Sequence, residues 1–395
     1  MRVCMIAYTF YESDNRVRRY AEALAQRGDT VDVVALQQEG QPAREVIDGV
    51  RVFRIQRRAI TEKSKFTYLS KLCLFFFRSM AFITREHIRE PYRLVHIHSV
   101  PDFEVFVAIL PKLTGSKIIL DIHDIVPEFY ASKFNASQDS LAFKALVAVE
   151  RMSTAFADHV IVANHIWQER LQRRSVRDAK CTTILNFPDT RIFRRRAGSH
   201  VNQKVVMLYP GTLNHHQGVD IALRAFALIK DQIPEAEFHI YGTGDQRNLL
   251  NQMIDQLGLG DQVFLKGILS LDQVAQAIGS ADLGIVPKRK DGFGNEAFST
   301  KILEFMAVGV PVIIPDTMID RYYFNDSVAR FFRANDEQSL AETMLLMVKH
   351  PELRQELVRR ADEFVKRYTW NENRAGYLAL VDSLLPSQNG HRSCN

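Results

Sequence analysis

Short β-branched apolar runs alternate with amphipathic helices along this chain, and the alternation occurs twice. The first run, Val3-Cys4-Met5-Ile6-Ala7, is apolar without interruption. A short run of that kind is the pattern of a strand buried on both faces. A polar loop follows at 9–15, then a helix predicted over 16–27 and stopped by Gly28, then a second strand at 31–36. This opening is that of a doubly wound, Rossmann-like parallel sheet. The pattern predicts further strands at 94–98, 118–122, 160–163 and 183–185. Near residue 190 the texture changes to a basic, weakly periodic stretch that reads as a linker. A second series then predicts strands at 205–209, 237–241, 263–265, 283–286 and 312–314, with helices such as 219–230 and 246–257 between them. Helices at 352–366 and 371–385 close the chain. The expected architecture is α/β: two Rossmann-like domains facing a cleft, with ligands beyond the carboxyl ends of the strands.

Composition narrows the function. An apolar fraction of 46% and a charged fraction of 25% are those of a globular protein, excluding disorder, collagen and a multi-span membrane protein. The four cysteines (Cys4, Cys73, Cys181, Cys394) form no C-x-x-C pair, which points to a reducing compartment. The first residues are too short an apolar run for a signal peptide, and no run reaches the 18 or so apolar residues of a spanning helix. The expected location is cytoplasmic. The net charge of +5 is unevenly spread: residues 51–100 hold 11 Lys/Arg against 3 Asp/Glu. That segment alone asks for an anionic partner. No nucleic-acid partner and no cofactor are expected; no G-x-G-x-x-G follows the first strand.

The stretch richest in chemistry is 291–315, DGFGNEAFSTKILEFMAVGVPVIIP. Ser299 or Thr300 is a good N-cap, 301–308 has helical composition, and Gly309 with Pro311 ends the helix. Glu296 then lies in the loop before the helix and Glu304 in its second turn. Backbone N–H groups near Thr300 and Lys301 suit a diphosphate, because a helix N-terminus favours anions. A carboxylate one turn in can accept from two adjacent ribose hydroxyls.

This stretch resembles the E-x7-E signature of the family 4 retaining glycosyltransferases, which have the GT-B fold. The resemblance covers nearly the whole chain. It includes RVRRYAEALAQRGDTVDVVA (16–35), PGTLNHHQGVDIALRAF (210–226), YGTGDQ (241–246), VFLKGIL (263–269) and TWNENRAGYLALVDSLL (369–385). It implies an acceptor-binding domain at 1–190, a linker at 191–203 and a nucleotide-sugar-binding domain at 204–366. It also implies a helix at 367–386 crossing back to the first domain, and a flexible tail at 387–395. By the same resemblance Glu304 binds the donor ribose, Glu296 faces the donor sugar, and Ile268 and Leu269 hold the base through main-chain groups. His123, in DIHDIVPEFY (121–130), meets donor sugar and acceptor. A strand-end imidazole there can donate to a sugar hydroxyl or a forming oxyanion. Asp124 and Glu128 are further acceptor-side candidates, as are Asn15 and Arg16. His98, at the end of its strand, could line the cleft, but His96 and His98 read better as structural histidines.

The chain departs from the family where many members carry an Arg and a Lys that neutralise the diphosphate. In the Gly211 loop those positions are Thr212 and Gln217. Lys301 and the run Lys288-Arg289-Lys290 are the substitutes nearest in sequence. The sequence offers no D-x-D loop and no His/Cys ligand cluster, which argues against a catalytic metal. Leaving-group charge then falls to cations and a helix dipole. Finally, residues 63–93 place Lys63, Lys65, Lys71, Arg78, Arg85 and Arg89 around an apolar run. They read either as a membrane-interface segment against anionic headgroups or as a buried helix with a basic outer face.

The expected activity is metal-independent, retaining transfer of a sugar from a UDP- or GDP-type nucleotide diphosphate sugar to a hydroxyl. The acceptor would be a saccharide or lipid-linked saccharide in surface polysaccharide assembly. Two alternatives stay open at this point. One is a nucleotide-sugar 2-epimerase of the same fold, separable by product analysis with donor alone. The other is a non-catalytic scaffold, separable by whether any nucleotide binds.

Overall fold

The computed structural model describes residues 1–58, 65–99, 101–134, 136–195 and 204–385. Lys63, most of the expected linker and the expected tail lie outside these. The chain forms two compact units, 1–186 together with the segment from 373 onward, and 187–372.

The first unit is built on an eight-stranded sheet. Its strands are β1 (Arg2–Ala7), β2 (Thr30–Gln37), β3 (Arg44–Ile47), β4 (Val50–Arg57), β5 (Leu94–Ser99), β6 (Lys117–Ile122), β7 (His159–Val162) and β8 (Cys181–Thr183). They run in the order β3-β4-β2-β1-β5-β6-β7-β8. All pairings are parallel except β3 with β4. β1, β5 and β7 are buried along their whole length, which is why they lack polar alternation. The last strand lies two residues earlier than the predicted 183–185. The β3–β4 hairpin was not predicted at all. Its Ile47-to-Val50 register leaves a two-residue turn in which Asp48 (φ 50°) and Gly49 (φ 81°) are both left-handed. That is the conformation for which Asp-Gly is selected.

The second unit holds β9 (Val205–Pro210), β10 (Ala236–Tyr241), β11 (Val263–Lys266), β12 (Leu283–Ile285), β13 (Val312–Pro315) and β14 (Arg330–Phe332). Their order is β11-β10-β9-β12-β13-β14, all parallel. β14 was not predicted. One face is sealed by Ile221, Leu223, Phe226, Leu250, Leu340 and Met344 from the flanking helices against Phe238 and Ile240 of the sheet. Strand order reverses direction at β1/β5 in one sheet and at β9/β12 in the other, and such switch points are where open α/β sheets bind ligands.

The final helix, Trp370–Leu384, returns to the first unit. Its Tyr377 is fully buried, with the ring 4.3 Å from Tyr20 and the hydroxyl 3.1 Å from His96 Nδ1. Asp382 pairs with Arg27 at 2.7 Å.

The basic segment forms a 25-residue helix, Lys65–Arg89. It is amphipathic. Leu72, Phe75, Phe82 and Ile83 are buried, while Leu69, Leu74, Phe77 and Ile88 are exposed. No helix among the described residues is long and apolar enough to cross a membrane.

One buried acid has an energetic consequence. Glu104 follows β5, is 1% exposed, and neither carboxylate oxygen has a hydrogen-bond partner. Burial alone pushes its pKa up to about 8. Its neutral form is favoured in the folded state. As pH rises above the ordinary glutamate range the unfolded chain releases this proton and the folded chain does not, so stability falls until about pH 8. We expect Glu104→Leu to remove this slope. Its advantage over wild type should grow by on the order of 4 kcal/mol between pH 5 and pH 8.5. Denaturant titrations at the two pH values check this; an equal gap at both would show that the carboxyl is solvated.

Candidate active site

In the first unit, a cavity of 230 Å³ lies at the carboxyl ends of the central strands. Tyr8 and Thr9 line it from beyond β1, His98 and Ser99 from β5, and His123 and Asp124 from beyond β6, with Asp14 and Arg58 completing the wall. Two residues singled out from sequence, His123 and Asp124, are therefore here. His98, which read as structural, also lines the cavity while being 3% exposed. Asn15 opens the helix Asn15–Gln26 and is half-buried; the N-cap is Asp14, whose Oδ1 accepts from the N–H groups of Arg16 and Val17. Burial raises the Asp124 carboxyl above its usual range, opposed by His123.

Arg16 and Glu128 are used inside the fold. The buried Arg16 guanidinium donates to both oxygens of Asp121, at 2.8 and 2.6 Å, and to the carbonyl of Ile184 at 2.7 Å. Burial works against that charge, but Asp121 holds the guanidinium above its ordinary range. Glu128, 3% exposed, takes two bonds from Arg174 (2.6 and 3.2 Å), which also grips Glu150 at 2.9 and 2.5 Å. This network braces three helices, and Glu128 is not among the cavity-lining residues.

The expectation of no ligand cluster needs correction. Parallel pairing of β5 with β6 sets His98 opposite Asp121, and His96, His98 and Asp121 come close enough to hold an ion. The donor set argues against one. Asp121 already gives both oxygens to Arg16, and that buried positive charge opposes a second.

In the second unit, the loop before the helix Thr300–Val308 is braced throughout. Asp291 Oδ1 accepts from the N–H groups of Phe293 and Gly294 at 3.0 and 2.5 Å. Asn295 Oδ1 accepts from Met318 N at 2.9 Å. Lys288, 3% exposed, donates to Ala297 O at 2.8 Å and pairs with Asp320 at 2.9 Å. Arg289 pairs with Asp220 at 2.5 Å and donates to His215 O. Lys288 and Arg289 thus hold the loop, and Lys290 is exposed beside them.

Lys301 is placed differently. Its side chain lies across Gly211, in the space a Cβ there would take, and the φ of 154° at that position disfavours any residue but glycine. The ammonium meets Gln217 Oε1 at 3.3 Å and sits 5.5 Å from the Tyr209 ring centroid. Gln217 therefore orients a cation. The carbonyl of the exposed Thr212 accepts from Tyr209 Oη at 2.7 Å. Burial lowers the Lys301 pKa, opposed by Glu304 one turn on. Burial raises the half-buried Glu304 carboxyl, opposed by Lys301 and by a bond from the Thr300 hydroxyl. Ser299, the N-cap residue, makes no capping bond, and its hydroxyl has no partner. Ile302 N–H bonds back to Ser299 O, and no N-cap side chain covers the N–H groups of Thr300 and Lys301, where a helix N-terminus favours an anion. Glu296 is 6% exposed in the preceding turn. Beyond β11, Ile268 is 62% exposed, unlike a core residue, and Leu269 lines a second cavity of 390 Å³ with Tyr241 and Lys266.

Comparison with known proteins defines the class. The description "Glycosyl transferase 4-like domain" matches residues 13–186, and "Glycosyl transferases group 1" matches 190–364. A glycosyltransferase of Methanocaldococcus jannaschii, itself uncharacterized, is 26% identical over 317 residues, covering 74% of each chain. Sucrose-phosphate synthase from Thermosynechococcus elongatus superposes with a TM-score of 0.81 at 19% identity, covering 97% of this chain and 98% of that one. HepE of Anabaena, solved with UDP-glucose, gives 0.73 at 15% identity over 97% and 100%. The protein is a glycosyltransferase with the GT-B fold. It belongs to the glycosyl transferases group 1 family.

Proposed function

We propose that this glycosyltransferase takes its sugar from a nucleotide diphosphate donor and passes it, with retention at the anomeric carbon and without a metal, to a hydroxyl acceptor. The observation that carries this reading is Lys301: a lysine folded across Gly211, oriented by Gln217, at the start of a helix whose first N–H groups lack a side-chain cap. That combination suits a diphosphate, and it supplies the cation that Thr212 and Gln217 themselves lack. Glu304, one turn on, is assigned to the ribose diol, and Ile268 and Leu269 to the base. In the transfer, the bond from the anomeric carbon to the diphosphate oxygen breaks, one to the acceptor oxygen forms on the same face, and the acceptor hydroxyl's proton passes to the departing diphosphate oxygen. Lys301 and the helix N-terminus stabilise the departing charge. His123 and Glu296 act at the sugar, and Asp124 on the acceptor side; Asn15 stays a weaker acceptor-side candidate. HepE, of the same fold, was solved with UDP-glucose, which agrees with a donor of this class.

The test is product analysis. Purified protein with a panel of nucleotide sugars and saccharide acceptors, in EDTA, is expected to yield a glycoside with the donor's anomeric configuration. An inverted product, activity only on adding Mg²⁺ or Mn²⁺, or conversion of the donor alone to an epimer would each overturn part of the reading.

We further propose that the acceptor is lipid-linked and met at an anionic membrane surface. The exposed side of the helix Lys65–Arg89 supports this, since Leu69, Leu74, Phe77 and Ile88 stand among Arg78, Arg85 and Arg89. Near an anionic leaflet each such cation contributes about 1 kcal/mol, screened by salt. Flotation with anionic vesicles is expected to carry the protein at low salt and release it at high salt. Leu74→Asp with Phe77→Asp should abolish flotation. A protein that stays behind at low salt would favour a soluble acceptor.

A further inference from the structure

The carboxylate of Asp121 lies where four polar side chains converge. It is fully buried in β6, and Arg16 grips both of its oxygens. His98 Nδ1 and His123 Nε2 approach the same oxygen, Oδ2, at 3.3 and 3.2 Å, and lie 3.2 Å from each other. Behind His98, the ring of His96 stacks at 4.2 Å, and its Nδ1 is in hydrogen-bond contact with the Tyr377 hydroxyl at 3.1 Å. Asp121 is thus the member of the group in contact with both cavity-lining imidazoles.

An ionised carboxylate can only accept hydrogen bonds. Burial opposes the charge on Asp121, but Arg16 and then His123 hold its pKa well below the usual range. The carboxylate therefore favours a proton on the His123 nitrogen turned toward it, with His98 Nδ1–H donating to the same oxygen, over the arrangement in which His123 Nε2 accepts from His98. A neutral imidazole with Nε2 protonated has its lone pair on Nδ1, and Nδ1 is the nitrogen left for a ligand. His123 is 23% exposed and lines the cavity, so a ligand can reach it.

We propose that Asp121 is a positioning residue that fixes the tautomer of His123, so that His123 meets its sugar ligand as a hydrogen-bond acceptor at Nδ1 and not as a donor. This deepens the proposed function and rests on its placing His123 at the sugar. It also revises the donor role that the sequence suggested. Arg16 keeps Asp121 charged and aligned, and His98 packs the other side of the same oxygen.

Two measurements test it. Nitrogen-15 spectra of the histidine side chains, with His123 assigned by its absence in His123→Ala, read the tautomer directly in the unmodified protein. Protonated Nε2 with bare Nδ1 is the expected signature, and either the opposite tautomer or a doubly protonated ring overturns the proposal. This readout needs no activity, so it stands or falls separately from the transferase reading, and it decides even where Asp121→Asn does not fold. The second measurement is a double-mutant cycle on turnover. Asp121→Asn alone should slow transfer roughly a hundredfold or more, as loss of the orienting carboxylate does in related imidazole–carboxylate pairs. In the His123→Ala background it should cost nothing further. Full additivity would mean that Asp121 acts on stability alone, and the proposal would be lost.

Discussion

Lys301→Met is expected to weaken nucleoside diphosphate binding by roughly 10- to 100-fold while the fold stays intact. The expectation follows from where the ammonium sits. It is half-buried, lies across Gly211 and donates to the neutral Gln217 Oε1 at 3.3 Å, with Glu304 one helical turn away. A charged hydrogen bond is worth about 1.5–3 kcal/mol, hence the one to two decades in affinity. Methionine keeps the packing over the Tyr209 ring, so a loss reports charge. A sign follows as well. Burial lowers the Lys301 pKa, so the ammonium starts to lose its proton below the ordinary lysine range. Wild-type affinity should therefore fall as pH becomes alkaline, and the variant should not share that fall. Calorimetric titration over pH 7–10 checks both statements. Equal affinities would return the diphosphate to some other cation.

His123→Ala is expected to lower transfer by about 10²–10³, within the range for loss of one positioned imidazole at the reacting sugar. The nucleoside diphosphate affinity should hardly change, because His123 belongs to the first unit and Lys301 and Glu304 to the second. Glu296→Gln should behave likewise. Glutamine is the right replacement there, since Glu296 is 6% exposed and a truncation would open a cavity. Steady-state rates with saturating donor, set beside titrations of the same preparations, separate chemistry from binding. Near-wild-type turnover in either variant would remove that residue from the site.

What was legible in the sequence is what lies close together along the chain. The loop and helix around Lys301 and Glu304 occupy one stretch, so N-cap, carboxylate and cation could be read from spacing. The parallel strands showed as unbroken apolar runs because both faces are buried. The Asp48-Gly49 pair is a hairpin turn signal, but the flanking strand Arg44–Ile47 is mostly exposed and lacks the apolar alternation that would mark it as a strand. The polar interior of the first unit could not be read at all. Arg16 and Asp121 are 105 residues apart, and Glu128 and Arg174 are 46 apart. Without the strand order β1-β5-β6 nothing joins Arg16 to Asp121, so Arg16 and Glu128 looked like loop charges available to a ligand. The same limit hid the difference among the basic residues of 288–301. Only the fold reveals that Asp320 and Asp220 engage Lys288 and Arg289, while Lys301 turns toward Gly211.

The central claim is that the second unit binds a nucleoside diphosphate through Lys301 and Glu304 without a metal. Titration of UDP, GDP and other nucleoside diphosphates in EDTA, into wild type and Glu304→Ala, tests it most directly. The account predicts that at least one nucleotide binds, that added Mg²⁺ leaves its affinity unchanged, and that Glu304→Ala weakens it by roughly ten- to hundredfold through loss of the charged bonds to the ribose. Binding that appears only with Mg²⁺, or an affinity that Glu304→Ala does not alter, would contradict it.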